Sequence, residues 1–296
     1  MKAHVLSTGD ELLLGDIIDS NAAFLCRFLL DSGIRVEKTM ALGDDPDIIA
    51  THLLQVSKTA DICLVTGGLG PTQDDVTALA AARAAGVGLV LDPEALDRVK
   101  AFFKARDLGW TRENEKQAFF PKGAGILDNP FGTAPGFYRR INQCLFFFMP
   151  GPPSEMRPMA QEQVLPVLQD RFGLAADLMV ERVSVFMLKE SVLGKKLEAF
   201  DSLFSDIILG IRVLFPVIEV KIRFREQPLD RSVARDRIRA AKTWIVVQLG
   251  DKVISEDGLS LAGQVGRILE QKGLTLAVAE SCTGGLIANM ITDLPG

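Results

Sequence analysis

The sequence predicts an α/β chain: a mostly parallel, doubly wound sheet, then a small α+β module, then a short incomplete α/β segment. Three observations carry that prediction. Short apolar runs alternate with amphipathic helical stretches over the first half of the 296 residues, the order of a parallel sheet with helices on both faces and right-handed crossovers. Glycine-bearing loops follow three of those runs, after Ser7, Val65 and Met149. The apolar content of 48% is ample for large cores, and the length allows two domains and part of a third.

Taken in order, residues 4–7 form a first strand, followed by Thr8, Gly9, Asp10 and Glu11 and then Gly15-Asp16. Ser20 or Asn21 caps a helix that reaches Asp31, apolar at Phe24, Leu25, Phe28 and Leu29 and ended by Gly33. Residues 35–41 form the second strand. Asp45-Pro46 opens the next helix as cap and N1 proline, with Ile48, Ile49, Leu53, Leu54 and Val56 facing inward. Strand 62–65 feeds a glycine loop, and an alanine-rich helix over 78–85 stops at Gly86. Asp92-Pro93 caps a helix to about Arg106. Residues 107–136 are polar and glycine-rich, with Asn114, Lys116, Gln117 and a turn at 129–132. Strands 137–141 and 144–149 form a hairpin whose second member is apolar enough to be central. Ser154-Glu155 suits the cap of a helix to Arg171, bent near Pro158 and Pro166.

Residues 173–177 read as a linker. Strand 179–187, helix 190–200, strands 207–215 and 218–225 around Pro216, and helix 231–249 make the small α+β module. Leu193-Gly194-Lys195-Lys196-Leu197 matches half of a KH-type nucleic-acid loop without its second glycine. The alternating basic residues of 219–225 read as a solvated face. The last segment gives helix 261–272, strand 274–279, the stretch Glu280-Ser281-Cys282-Thr283-Gly284-Gly285 and helix 286–292. About forty residues cannot bury a core of their own, so this reads as the start of a larger domain.

The net charge of −5 provides no basic field for nucleic acid. Cys26, Cys63, Cys144 and Cys282 form no CxxC pair, and the first three lie in apolar runs, so a reducing cytoplasm is expected. No signal peptide and no apolar run of membrane-spanning length is read. His4 and His52 lack partners at metal-ligand spacing and are assigned no role.

The chemistry centres on Thr66-Gly67-Gly68-Leu69-Gly70-Pro71-Thr72-Gln73-Asp74-Asp75-Val76-Thr77. Strand, glycine turn and helix start make the local form of an anion site, because glycine lets backbone approach a ligand and free amides of the first helical turn point at it. Asp74 and Asp75 would repel a phosphate unless a divalent cation lay between them. The plain alternative is a Gly-Gly turn with an aspartate as helix cap. The loops at 8–16 and 150–156 follow strands of the same sheet. The three therefore converge on one crevice, where open α/β sheets bind ligands.

Four motifs together resemble the CinA (competence/damage-inducible protein) family over nearly the whole chain. They are Glu11-Leu12-Leu13-Leu14-Gly15-Asp16 with Ser20-Asn21, then 67–77, then Gly132-Thr133-Ala134-Pro135-Gly136, and Pro150-Gly151-Pro152-Pro153-Ser154-Glu155-Met156. The resemblance implies a molybdopterin-binding-like domain over 1–172, a KH-like domain over 178–252, and over 258–296 the start of a nicotinamide-nucleotide deamidase domain carrying Ala279-Glu280-Ser281-Cys282-Thr283-Gly284-Gly285. It implies divalent-metal-dependent hydrolysis of ADP-ribose, or a related dinucleotide, to AMP and ribose 5-phosphate. It also implies a nicotinamide mononucleotide deamidase with Ser281 as nucleophile. The family's partners of that serine lie downstream of its motif, beyond Gly296, so no deamidase activity is expected from this sequence alone.

Pyrophosphate cleavage requires neutralised phosphate charge, an oriented water and a stabilised leaving group. The amides of Gly67, Gly68 and Gly70 suit phosphate contact. Asp75, with Asp74 beside it, is the first candidate for catalysis and metal, since Asp75-Val76-Thr77 stands at this place in related molybdopterin proteins. Asp45 is the second candidate, with a helix cap as its alternative. The metal would be Mg, Mn or Co. Glu11 is a catalytic candidate, and both Glu11 and Asn21 are placed to reach ligand or metal, while Glu155 orients groups from the third loop. Gly9, Thr72, Thr77, Gly132, Gly136 and Gly151 complete the nucleotide-binding candidates. Lys116 either offsets phosphate charge or is solvated. The same crevice also suits a pterin, bound or adenylylated, and a non-enzymatic competence-related scaffold is a third reading. Expected partners are a small-molecule nucleotide and, from the apolar face of the last segment, a second copy in a homodimer or other homo-oligomer. Nucleic acid and membrane are not expected.

Overall fold

The most apolar runs of the first half become neighbouring strands of one sheet. The structure is a computed structural model that describes residues 1–172, 180–224 and 231–294. In chain order the first half comprises β1 (Ala3–Thr8), α1 (Asp10–Leu13), α2 (Ser20–Asp31), β2 (Val36–Leu42), α3 (Pro46–Ser57), β3 (Ile62–Thr66), α4 (Thr77–Ala84), β4 (Leu89–Leu91) and α5 (Pro93–Ala105). A 3-10 segment (Arg112–Ala118) leads to β5 (Phe119–Pro121), β6 (Gly125–Leu127), β7 (Gly136–Ile141), β8 (Cys144–Met149), α6 (Pro153–Met159) and α7 (Leu165–Phe172). The six-stranded sheet has the order β2-β1-β3-β8-β7-β6. Strands β2, β1, β3 and β8 run parallel and the β7 and β6 edge antiparallel.

Both faces are covered, as two-sided burial of β3 and β8 requires. Ile49 and Leu53 of α3 and Ala80 and Ala81 of α4 pack on one face with Val65, Phe146 and Phe148. Leu25 and Leu29 of α2, with Met156, Val164 and Leu168 from the last helices, pack on the other with Val5, Leu64 and Phe147. Consequently β1, β3 and β8 end side by side at one edge, and the loops after them share a crevice.

Local readings needed correction where a neighbour supplied the better partner. Asp19, rather than Ser20 or Asn21, caps α2, its carboxylate accepting the Ala22 amide at 2.8 Å. Ile48 and Leu54 are exposed, and α3 turns Ile49, Ala50, Leu53 and Val56 inward instead. Neither Ser154 nor Glu155 caps α6, which begins after Pro152 without a side-chain cap. A π-type turn at Ala160–Val164 separates α6 from α7, leaving Pro158 inside the first.

Contacts divide the chain into two compact units, Met1–Leu178 and Met179–Gly296. The expected linker at 173–177 lies outside the described residues, as do Met179 and Arg225. The second unit contains β9 (Glu181–Phe186), α8 (Glu190–Lys196), α9 (Phe200–Leu203), β10 (Ile207–Leu214), β11 (Val217–Phe224), α10 (Arg231–Leu249), β12 (Val253–Ser255), α11 (Leu261–Lys272) and α12 (Leu286–Thr292). Its antiparallel sheet has the order β10-β11-β9-β12 and packs Val183, Val220 and Ile222 on Ile238 and Ile245 of α10. The helix expected over 190–200 is split into α8 and α9, and Leu193-Gly194-Lys195-Lys196 are helical rather than a nucleic-acid loop. Residues 274–279 form no strand. No described strand lies beside them to accept their hydrogen bonds, and an isolated strand in water has little to hold it.

Candidate functional site

Beneath the crevice the three loops are joined by buried hydroxyl and amide groups. The Thr66 hydroxyl donates to the Pro150 carbonyl at 2.8 Å, so the end of β3 grips the loop after β8. Asn21, from α2, donates to the Gly151 carbonyl at 2.6 Å and to Thr66 Oγ1 at 3.2 Å. The Thr8 and Thr77 hydroxyls lie 3.1 Å apart, linking the end of β1 to the start of α4. Gly67 and Gly68 have φ of 105° and 65°. A Cβ on the first would strike the Thr8 carbonyl and one on the second the Thr77 hydroxyl. Here glycine is required twice over, by backbone conformation and by space. This network makes Thr8 and Thr66 structural members of the site; the sequence placed both in its glycine loops but gave them no role.

The crevice above measures about 290 Å³ and takes lining from all three loops, including Gly9, Glu11, Gly67, Gly68, Gly70, Asp74, Asp75, Gly151 and Glu155. The expected convergence is therefore present. The amide of Gly67 is committed to the Met149 carbonyl and that of Gly9 to the Leu42 carbonyl, each at 3.0 Å. Neither is available to an anion. The amides of Gly68, Leu69 and Gly70 have no hydrogen-bond partner among the described residues, so of the three expected donors Gly68 and Gly70 are free and Gly67 is not.

Five carboxylates line the crevice, from Glu11, Asp44, Asp74, Asp75 and Glu155, and no Lys, Arg or His joins them. Asp44, overlooked in the sequence, exchanges backbone–carboxylate bonds with Asp10 at 3.0 and 3.1 Å. Burial raises its pKa above the ordinary carboxylate value, the charges of Asp10, Glu11 and Asp74 push the same way, and the Asp10 amide opposes them. Its neighbour Asp45 spends a carboxylate oxygen on the Asp47 and Ile48 amides at 2.8 and 3.0 Å as the cap of α3. Asp45 does not line the crevice. The choice of Asp45 as a metal ligand is corrected accordingly: the cap reading prevails.

The paired aspartates of the glycine loop hold the loop's own shape. Asp75 Oδ2 accepts the Thr72 amide at 2.9 Å and the Thr72 hydroxyl at 2.7 Å, and it packs against the Cα of Gly70. Asp74 also accepts from the Thr72 hydroxyl. That bond is the main reason its pKa lies below the usual value. Lys116 donates to the Thr72 carbonyl, bracing the same loop from outside the crevice. Thr72, Thr77, Asn21, Gly132 and Gly136 likewise do not line it. Gly136 is a packing glycine between Met159 and Phe148, and Gly132 lies against the Glu155 carboxylate.

No group of three or more His, Cys, Asp or Glu able to hold a metal ion occurs among the described residues. The five lining carboxylates are not gathered into such a group, and no metal ligand set is assigned among them. The crevice offers free amides as hydrogen-bond donors and carboxylates as acceptors. Gln117, one of the lining residues, has a buried oxygen, Oε1, without a hydrogen-bond partner; sequence reading placed this residue only in a polar stretch.

In the second unit, Glu280 accepts the Ile287 and Ala288 amides, each at 2.9 Å, and the Thr283 hydroxyl at 2.7 Å. These bonds, the backbone ones first, lower its pKa. Ser281 is exposed, and the hydrogen-bond neighbour of its hydroxyl is Cys282 Sγ at 3.7 Å. No base faces it among the described residues. Among those residues, no helix is long and apolar enough to cross a membrane.

Comparison with known proteins bears on these expectations. Residues 4–170 match the family model described as "Probable molybdopterin binding domain" and residues 259–296 the "CinA C-terminal domain". The chain is 41% identical over 302 residues to a CinA-like protein of Desulforapulum autotrophicum, covering 100% of this chain and 71% of that one. It is 43% identical over 297 residues to a CinA-like protein of Desulfosudis oleivorans, with the same coverage. A crystal structure of the protein CinA, with unknown function, from Thermoplasma acidophilum aligns with TM-score 0.52 and 30% identity over 56% of this chain and 97% of that one. These findings overturn the expectation of ADP-ribose hydrolysis. The matched domain is described as a probable molybdopterin binding domain, and neither of the two relatives named above carries a pyrophosphatase description.

Proposed function

The chain belongs to the CinA family, and from that premise we propose that the crevice of its first unit binds a pterin of the molybdopterin class. The observation that carries the proposal is the lining itself: free amides at Gly68, Leu69 and Gly70 beside five carboxylates with no cation among them. A pterin that bears a phosphate presents both an anionic group and a row of ring N–H donors. The volume, about 290 Å³, stands at the lower limit of the roughly 300–1,000 Å³ usual for ligand pockets.

Binding is the proposal, and hydrolysis of a nucleotide is not part of it. Enzymes do occur in this family, nicotinamide-nucleotide amidohydrolases among them. A cytoplasmic setting goes with this reading, since Cys63 and Cys144 are buried free thiols and Cys282 an exposed one. The exposed Leu286, Ile287 and Met290 of α12 support a homo-oligomer, which light scattering on the eluted protein would test. Anaerobic calorimetry decides the main point. Molybdopterin should bind at least about tenfold more tightly than ADP-ribose, and equal or reversed affinities would sink the proposal.

A further inference from the structure

Sheets keep their edges from pairing with other chains by making them short, bulged or charged. Most edges of this protein follow that rule. Strands β4, β5, β6 and β12 have three residues each, and the register of β12 slips between Val253 and Ser255. Strand β2 carries Glu37 and Lys38, and its register with β1 shifts around Glu37. The exception is β10, at one end of the second unit's sheet. It is eight residues long, pairs regularly with β11 over its whole length, and holds one charge and no proline. Among the described residues no strand lies on its other side.

The second half of this edge is also uncovered. Directly opposed residues of an antiparallel pair share one face of the sheet. Leu209, Ile211 and Val213 stand opposite Ile222, Val220 and Ile218 of β11, which are buried with Ile238 and Ile245 of α10. Ile211 and Val213 thus belong to the row that faces the helices, yet they are 42% and 51% exposed. Leu214 and Phe215, next along the chain, are exposed as well.

We propose that β10 is an interface between two copies of this chain, paired antiparallel across a two-fold axis at Ile211. The side-chain period of two means that the helix-covered faces of both copies stay on one side only if some residue lies opposite itself. With Ile211 on the axis, the strand is its own complement, as a two-fold contact requires. Leu209 meets Val213 of the second copy, and Ile208 meets Leu214. Arg212 falls opposite Gly210, which leaves room for its side chain, while Glu219 stands opposite it on its own β11. An axis at Arg212 would set two like charges face to face, which is destabilising. A strand from another protein would have to bring this complement with it, whereas a second copy already carries it. The inference names a contact for the homo-oligomer proposed above and rests on that reading, but it stands on β10 and not on α12.

Sedimentation velocity on the full chain across the micromolar range should show a dimer. Ile211→Lys puts two like charges opposite each other at the axis and should weaken that dimer about a hundredfold or more. Because a dimer also fails when a variant unfolds, cysteine cross-linking gives a second readout, made in a Cys282→Ser background. Ile211→Cys brings two thiols together on the axis, where opposed Cα atoms lie about 4.5–5.5 Å apart, inside the roughly 4.4–6.8 Å that a disulfide spans. Val213→Cys leaves its two thiols four residues out of register, roughly 14 Å apart along the strand. Mild oxidation should therefore cross-link the first variant at least about tenfold more than the second. Equal cross-linking of the two, or a dimer that Ile211→Lys leaves intact, overturns the β10 contact. If Met290→Glu then dissolves that dimer, the homo-oligomer stands and its contact is α12. A chain that is monomeric throughout the range overturns both readings, including the case in which β10 takes a strand from another protein.

Discussion

Loop 66–77 and loop 280–285 both carry a glycine pair on the way into a helix, but only the first is set on a sheet edge. The backbone shapes are close: Gly67 and Gly68 have φ of 105° and 65°, Gly284 and Gly285 of 65° and 78°. The surroundings differ. At Gly67 and Gly68 a methyl group would meet Thr8 and Thr77, whereas at Gly284 and Gly285 it would meet nothing within 4 Å. The first loop is joined to β1, to the loop after β8 and to α2 by buried or partly buried hydrogen bonds. The second is fastened through Glu280 to the amides of α12. A glycine pair sets the course of a turn, and a second layer of side chains makes that turn part of a site.

Alanine substitution should break the comparison most sharply. Gly67→Ala and Gly68→Ala combine left-handed strain of about 1–2 kcal/mol with a steric clash that ordinarily costs about 1–3 kcal/mol. Loss of roughly 3 kcal/mol in urea unfolding, together with loss of pterin binding, is expected. Gly284→Ala and Gly285→Ala carry only the strain, about 1–2 kcal/mol, and should leave pterin binding unchanged. Equal costs at the two loops would remove the distinction drawn between them.

A smaller difference should appear when hydroxyls are removed. Thr66→Val leaves the buried Pro150 carbonyl without its donor, which costs about 1–3 kcal/mol. It also frees Asn21 to shift, so the crevice should widen and ligand affinity fall. Thr283→Val removes an exposed bond to Glu280 and should stay within about 0.5 kcal/mol. Urea midpoints for the two variants check both values, and a Thr66→Val protein as stable as its parent would mean the loops are not held from beneath.

These contrasts also explain how much of the molecule was legible beforehand. Alternating apolar runs and helices determined the sheet, because β3 and β8 are apolar on both faces and can lie only at its centre. The three glycine loops were readable because they end strands. The wall of the crevice was not. Asp44 and Asp45 are chemically identical neighbours, and only the folded start of α3 decides which one caps the helix and which lines the crevice. Gln117 joins the lining because the 3-10 segment folds beside Thr133, sixteen residues further along the chain, a proximity no local pattern encodes. The absent strand at 274–279 has the converse origin: its sequence suits a strand, but a strand also needs a neighbour.

The finest difference between the two regions lies in how each uses a charged group, and pH separates them. His4 is buried in β1, 3% exposed, with Nδ1 unpartnered. Burial, followed by the charge of Lys38, lowers its pKa below 6.5. The unfolded chain therefore takes up the proton first. Stability is full above the unfolded value and declines as pH falls through it toward the folded value, by about 1.4 kcal/mol for each unit between the two. Glu280 has a folded pKa below its ordinary 4.5, so its contribution is present above pH 4.5 and lost below it, and exposure to solvent and salt keeps it small. Between pH 7.5 and 5.5 the slope in urea stability should belong to the first unit and be flattened by His4→Gln, while Glu280→Gln leaves it intact. A slope unchanged in His4→Gln would show that the buried ring does not resist protonation.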